Sequence, residues 1–73
     1  MSMIAKSIIR EAGDTGTTRT VLIVSDTAPT STDGADITNM PDNLTCSVGS
    51  VCIDAENGKS YIVGVDGDWH ELP

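Results

Sequence analysis

Phenylalanine is absent from the sequence, and Tyr61 and Trp69 are its only aromatic side chains. An interior organised around stacked rings is therefore excluded. Whatever core exists must be built from Val, Ile, Leu, Met and Ala. Basic residues are also scarce, with four Lys and Arg against 11 Asp and Glu and a formal net charge of −7. That balance repels phosphate backbones and argues against nucleic acid as a direct partner. His70 is the only histidine, and Cys46 and Cys52 are the only cysteines. A structural zinc site uses closely spaced ligand pairs, which a Cys-x5-Cys spacing does not supply. Nucleophilic catalysis needs a base beside its Ser or Cys, and nothing in the sequence brings His70 to either cysteine. Phosphate-loop and dinucleotide fingerprints are missing, so no cofactor is expected. No run approaches the ~18–20 apolar residues that span a bilayer, and no membrane partner is expected.

The first residues, `MSMIAKSIIREAGD`, are interrupted by Lys6, Arg10 and Glu11 and lack the apolar stretch of a signal peptide. The expectation is a chain made and kept in a cytoplasm, with Cys46 and Cys52 reduced; a Cys46–Cys52 disulfide is the alternative. At 73 residues it forms a single small domain, 1–73. A domain of this size is marginally stable without a staple or a partner.

Composition divides the chain into an N-terminal segment and strand at 1–25, a connector at about 26–45, and a β-rich end at 46–73. Residues 2–10 fit either a helix or a strand, because Ile4 and Ile8 have helical spacing while `SIIR` suits a strand. `EAGDTGTT`, residues 11–18, reads as a loop. `RTVLIVS`, residues 19–25, reads as a strand covered on both faces, since four apolar residues run consecutively. The connector holds Pro29, Pro41 and many Ser, Thr and Asp, and predicts irregular chain with one helical turn near Asp36–Met40.

The last third predicts a three-stranded antiparallel meander, with strands at about 48–55, 60–65 and 68–72. Asn57-Gly58 and Asp66-Gly67 are the signals for two-residue hairpin turns, in which both central residues need positive φ. Such turns set the register. Asp54 then opposes Tyr61, Ile53 opposes Ile62, Gly64 opposes Trp69 and Tyr61 opposes Leu72. One face carries Val51, Ile53, Ala55, Ile62 and Trp69; the other carries Cys52, Tyr61, Val63, Val65 and Leu72. Gly64 would leave room for the Trp69 indole. The fold class is mainly β, a small antiparallel sheet ending in the meander. Both faces are apolar, so another subunit is expected over one of them. Val51, Ile53, Tyr61, Ile62, Val63, Val65, Trp69 and Leu72 are the expected core or interface residues.

Three short motifs invite chemical readings. `DTG` at Asp14–Gly16 matches the aspartic protease signature, whose shared-proton carboxylate pair would require dimerisation. Here `REAG` precedes it in place of an apolar strand, and a Gly-Asp turn is the simpler reading. `DAENG` and `DGD` resemble calcium loops, but Glu56 and Asn57 break the spacing. Asp54, Asp66 and Asp68 read as turn formers. `NLT` at Asn43–Thr45 is a glycosylation sequon without meaning in a chain that is not secreted.

`GSVCIDAENGKSYIVGVDGDWHEL`, residues 49–72, resembles a segment of small virion structural proteins from tailed bacteriophages and prophages. Those begin with a Gly-Ser strand start, pass through a Gly-Lys hairpin to an aromatic-apolar strand, and finish on Gly-x-Trp. Gly49, Ser50, Gly58, Lys59, Tyr61, Gly67 and Trp69 occupy the matching positions. `TDGADITNMPDNL`, residues 32–44, looks like the acidic lead-in to that block. The resemblance implies a structural assembly component of a head surface, neck or fibre, without enzymatic activity. Assembly would take place in the bacterial host cytoplasm and the protein would reside in the virion. The expected partners are other copies, as a trimer or larger ring, and other virion proteins. A small acidic intracellular binding or regulatory protein, such as a prophage-encoded inhibitor of a host factor, is the second reading, because its acidity could mimic nucleic acid toward a basic partner.

Overall fold

Strands form wherever β-branched residues run between glycine- and threonine-rich turns. In the computed structural model, which describes residues 2–73, these are β1 (Met3–Ile9), β2 (Thr18–Ser25), β3 (Thr45–Cys46), β4 (Val51–Asp54), β5 (Lys59–Val63) and β6 (Trp69–Glu71). They join in one six-stranded sheet of order β1-β2-β4-β5-β6, with β3 paired to the start of β2. The ambiguous N-terminal segment is thus a strand. A register shift between Ala5 and Ser7 leaves Lys6 outside the ladder, the signature of a β-bulge.

The protein is mainly β and ends in a three-stranded meander, β4-β5-β6. The sheet as a whole is mixed. β1 runs antiparallel to β2, but β2 runs parallel to both β3 and β4. A parallel pair needs a long crossover to bring the chain back to its starting end. Here the connector serves in place of the usual helix. Its one helical element is a short 3-10 turn at Gly34–Asp36, just before the position expected from sequence, capped by the Asp33 carboxylate accepting from the Ala35 N–H.

β3 and β4 are one path along β2, interrupted. Arg19 pairs with Cys46 and Leu22 with Val51, so Thr20 and Val21 face the four residues Ser47–Ser50. The Ser50 Oγ fills the gap by accepting the Val21 N–H at 3.0 Å.

Every fully buried strand residue lies on one face of this sheet. Met3, Ala5, Val21, Ile23, Cys52 and Val63 point there and meet Ile37, Met40 and Cys46 to form the core, with Leu44, Tyr61 and Trp69 packed against it. The connector is therefore the second layer of the fold, and its sparse apolar residues are what cover the sheet.

Candidate functional site

The opposite face has no such cover. Register places its side chains directly: Ile4 beside Val24, Val24 beside Ile53, Leu22 beside Val51, and Val51 beside Ile62. These six aliphatic residues form a continuous patch across β1, β2, β4 and β5. Leu22 is 37% exposed and Ile53 39%; the other four are half-buried by their neighbours alone. Ser7, Thr20, Ser60 and His70 complete the face, with Ile9 at its end, 47% exposed. No carboxylate occupies any paired strand position on this side, although the chain has 11. β2 was expected to be covered on both faces. It is covered on one, through Val21 and Ile23, while Leu22 and Val24 look outward.

The expected division of the meander holds for six of its residues, Cys52 on the core face being one of them. Val51, Ile53 and Ile62 share the outer face; Tyr61 and Val63 share the core face. Register explains why it survives. Asp54 pairs with Lys59 rather than Tyr61, a slip of two residues, and side chains alternate with period two. The cause is the Asp54 carboxylate, buried to 1% exposure, which accepts the Asn57 N–H at 3.1 Å and the Asn57 Nδ2–H at 2.8 Å. This closes a four-residue turn, Ala55–Gly58, in place of the two-residue turn.

The second hairpin slips by one, and there the assignment changes. Val63, not Gly64, stands opposite Trp69, because Gly64 donates to the Asp68 carbonyl and the loop spans Gly64–Asp68. Trp69 therefore crosses to the core face, where its Nε1–H donates to the Ser31 carbonyl at 3.0 Å. Gly64 makes room for His70 rather than for the indole: a Cβ there would lie 2.8 Å from the His70 Cδ2. Val65 falls in the turn, 95% exposed, and joins neither face. Leu72 lies beyond the end of β6, 39% exposed, and is tied by its backbone N–H to the Ser60 carbonyl rather than opposed to Tyr61.

The groups that could carry chemistry are occupied locally. Asp14 Oδ2 accepts the backbone N–H groups of Glu11, at 3.0 Å, and Thr20, at 3.1 Å. The Glu11 N–H is the main cause holding its pKa below the ordinary value. Asp14 locks the turn between β1 and β2, beside an open cleft of about 470 Å³ that also reaches Cys46, Val48 and Val63. Asp66 pairs with His70 at 3.0 Å, and that bond is the main cause lowering its pKa. Among the described residues, no three His, Cys, Asp or Glu side chains converge. Cys46 and Cys52 are buried free thiols, pushed up to about 11 chiefly by loss of hydration. They stay protonated at neutral pH and are poor nucleophiles. No protein-family model matches the chain, and no match was found among curated proteins or solved structures.

Proposed function

We propose that the chain is a non-enzymatic structural component of a tailed-phage or prophage virion, which associates with its own copies and docks on other virion proteins. The observation that carries this reading is the outer sheet face. Six aliphatic side chains lie contiguous on it, with Leu22 and Ile53 exposed and the other four half-buried. Contiguous apolar surface of this kind marks an interaction site. The resemblance of residues 49–72 to phage structural segments supplies the biological setting. Mass spectrometry of purified particles tests it: the chain is expected among the virion proteins, and its absence from them overturns the reading.

The net charge of −7 favours the second reading, an acidic regulator of a basic host protein. Such a regulator would present its carboxylates to the partner. A pull-down in which a basic host protein is retained, and is released by neutralising exposed acids while the outer-face substitution Ile53→Asp leaves it bound, would favour that reading.

A further inference from the structure

We propose that Asn57 is a site of spontaneous deamidation, and that the carboxylate formed there opens the hairpin between β4 and β5. The inference goes beyond the assembly reading and does not depend on it.

The reaction uses the backbone nitrogen of the following residue. That nitrogen bonds to the carbonyl carbon of the Asn side chain and closes a succinimide ring. The side-chain nitrogen leaves as ammonia, taking up the proton that the attacking N–H gives up. Water then adds to either ring carbonyl and breaks its bond to the ring nitrogen. The products are aspartate and its isomer, in which the main chain runs through the former side chain. An attacking N–H already held in a hydrogen bond is neither free to lose its proton nor free to turn. A side chain on the following residue also hinders the approach.

Among the three asparagines, the structure singles out Asn57. After Asn39, the Met40 N–H donates to the Ile37 carbonyl at 3.3 Å; after Asn43, the Leu44 N–H donates to the Pro41 carbonyl at 3.1 Å. Asn57 is followed by Gly58, and among the described residues no acceptor takes the Gly58 N–H. Both residues are exposed, and the space beside the Gly58 Cα is open for 4 Å. The two acid-glycine pairs that could form the same ring lack the free nitrogen. Gly34 donates to the Leu44 carbonyl and Gly67 to the Gly64 carbonyl, each at 2.9 Å.

Asp54 supplies the consequence. It is the buried carboxylate of the described residues, 1% exposed, and its Oδ2 accepts the Asn57 Nδ2–H at 2.8 Å. Turning that amide into a carboxylate removes the donor and sets two anions against each other. Like charges in such contact cannot both be accommodated. The surroundings do not offset the new charge: Glu56 lies in the same turn, and Lys59 is drawn to Glu71 at 3.9 Å. Asp54 and Lys59 form the last pair of the β4–β5 ladder, so the strands part from this end. The isomer disturbs the turn further, because it lengthens the main chain by a methylene.

The full chain, aged in mildly alkaline buffer and read by peptide mass spectrometry with fragmentation, tests the site. The mass gain of exchanging NH2 for OH should accumulate at Asn57 several-fold faster than at Asn39 and Asn43. Equal or slower gain at Asn57 overturns the proposal. Amide exchange tests the consequence. Asn57→Asp reproduces the product, and Asn57→Ala loses the same hydrogen bond without adding charge. Exchange of the β4 and β5 amides nearest the turn should be about tenfold or more faster in the Asp variant than in the Ala variant, the scale set by a buried charged group left without its donor. Equal exchange in the two overturns the opening. Far-UV circular dichroism checks folding. If Asn57→Asp does not fold, the deamidated fraction of the aged parent, separated by its extra charge, is compared with the unaged chain, and unchanged exchange there overturns the opening.

Discussion

Gly34 donates its backbone N–H to the Leu44 carbonyl at 2.9 Å and leaves no space for a side chain against it. A Cβ at Gly34 would press on the carbonyl oxygens of Leu44 and Pro41, closer than real Cβ atoms pack. Both obstacles are backbone, so neither can rotate away. This contact folds the connector back on itself and sets Ile37 and Met40 over the sheet. Gly34→Ala should therefore cost about 3 kcal/mol, the upper end for overpacking a rigid site. Urea denaturation followed by Trp69 fluorescence measures it. A change below about 0.5 kcal/mol, the range of an ordinary surface substitution, would mean that the connector is not held in this way.

The connector is where sequence reasoning reached least. Its irregularity was legible from Pro29, Pro41 and the Ser, Thr and Asp between them. Its role was not, because covering the sheet depends on contacts between residues distant in the chain. Met3, for instance, accepts the Thr38 N–H at its carbonyl, a bond no local pattern encodes. The parallel β2–β4 pairing was hidden for the same reason: pattern shows that a strand exists but not which way its neighbour runs. In the meander, period-two alternation survived a register error of two residues at Asp54 and failed at Trp69, where the error was one. The outer face was legible in three of its six aliphatic residues, Val51, Ile53 and Ile62. The contributions of β1 and β2 required the sheet order. Several residues of the 49–72 segment have direct structural duties here. Ser50 completes the β2 ladder, and Gly67 and Trp69 shape the last hairpin.

Ser50 is wholly buried, and its hydroxyl accepts the Val21 N–H. Ser50→Ala keeps the volume nearly constant but leaves that buried N–H without a partner. The expected loss is about 1–3 kcal/mol, the cost of stranding one buried polar group. Amide exchange should show the Val21 proton losing protection selectively, while those of β5 and β6 change only with global stability.

Gly58 and Gly67 close the two hairpins with φ of 68° and 83°. No atom lies within 4 Å of a Cβ added at either, so sterics against neighbours play no part. The cost of a substitution is conformational alone. Gly58→Ala and Gly67→Ala should each lose about 1–2 kcal/mol, and the Val variants more, since left-handed backbone is worst for a β-branched residue. Asn at either position should recover part of the loss. Equal stability for Gly, Asn and Val would refute the turn geometry.

Asp14 titrates below its ordinary value of 3.8, chiefly because its carboxylate accepts the Glu11 N–H. A depressed folded pKa means that the unfolded chain takes up the proton first as pH falls. The stabilisation is therefore complete above the unfolded value and disappears as pH drops through the folded one. Asp14→Asn should be less stable than the parent at pH 6, and the difference should shrink below pH 4. A gap that persists unchanged to pH 2 would assign the effect to geometry rather than to charge.

The cysteines govern the alkaline limb with the opposite sign. Burial raises both thiols from 9.0 to about 11, reinforced at Cys46 by Cys52 and at Cys52 by the Asp54 charge. The unfolded chain then ionises first as pH rises. Their contribution is fully present below pH 9.0 and is lost progressively toward about 11. The informative quantity is the difference between the parent and a Cys46→Ala, Cys52→Ala variant. The variant should be less stable at pH 7, because each substitution trims a buried side chain, and its stability should fall less steeply between pH 9 and 11. At pH 7, a thiol-specific reagent should react slowly with the native parent and rapidly once urea unfolds it. Fast labelling of the native protein at pH 7 would show that the thiols are neither buried nor protonated, and would reopen them as reactive groups.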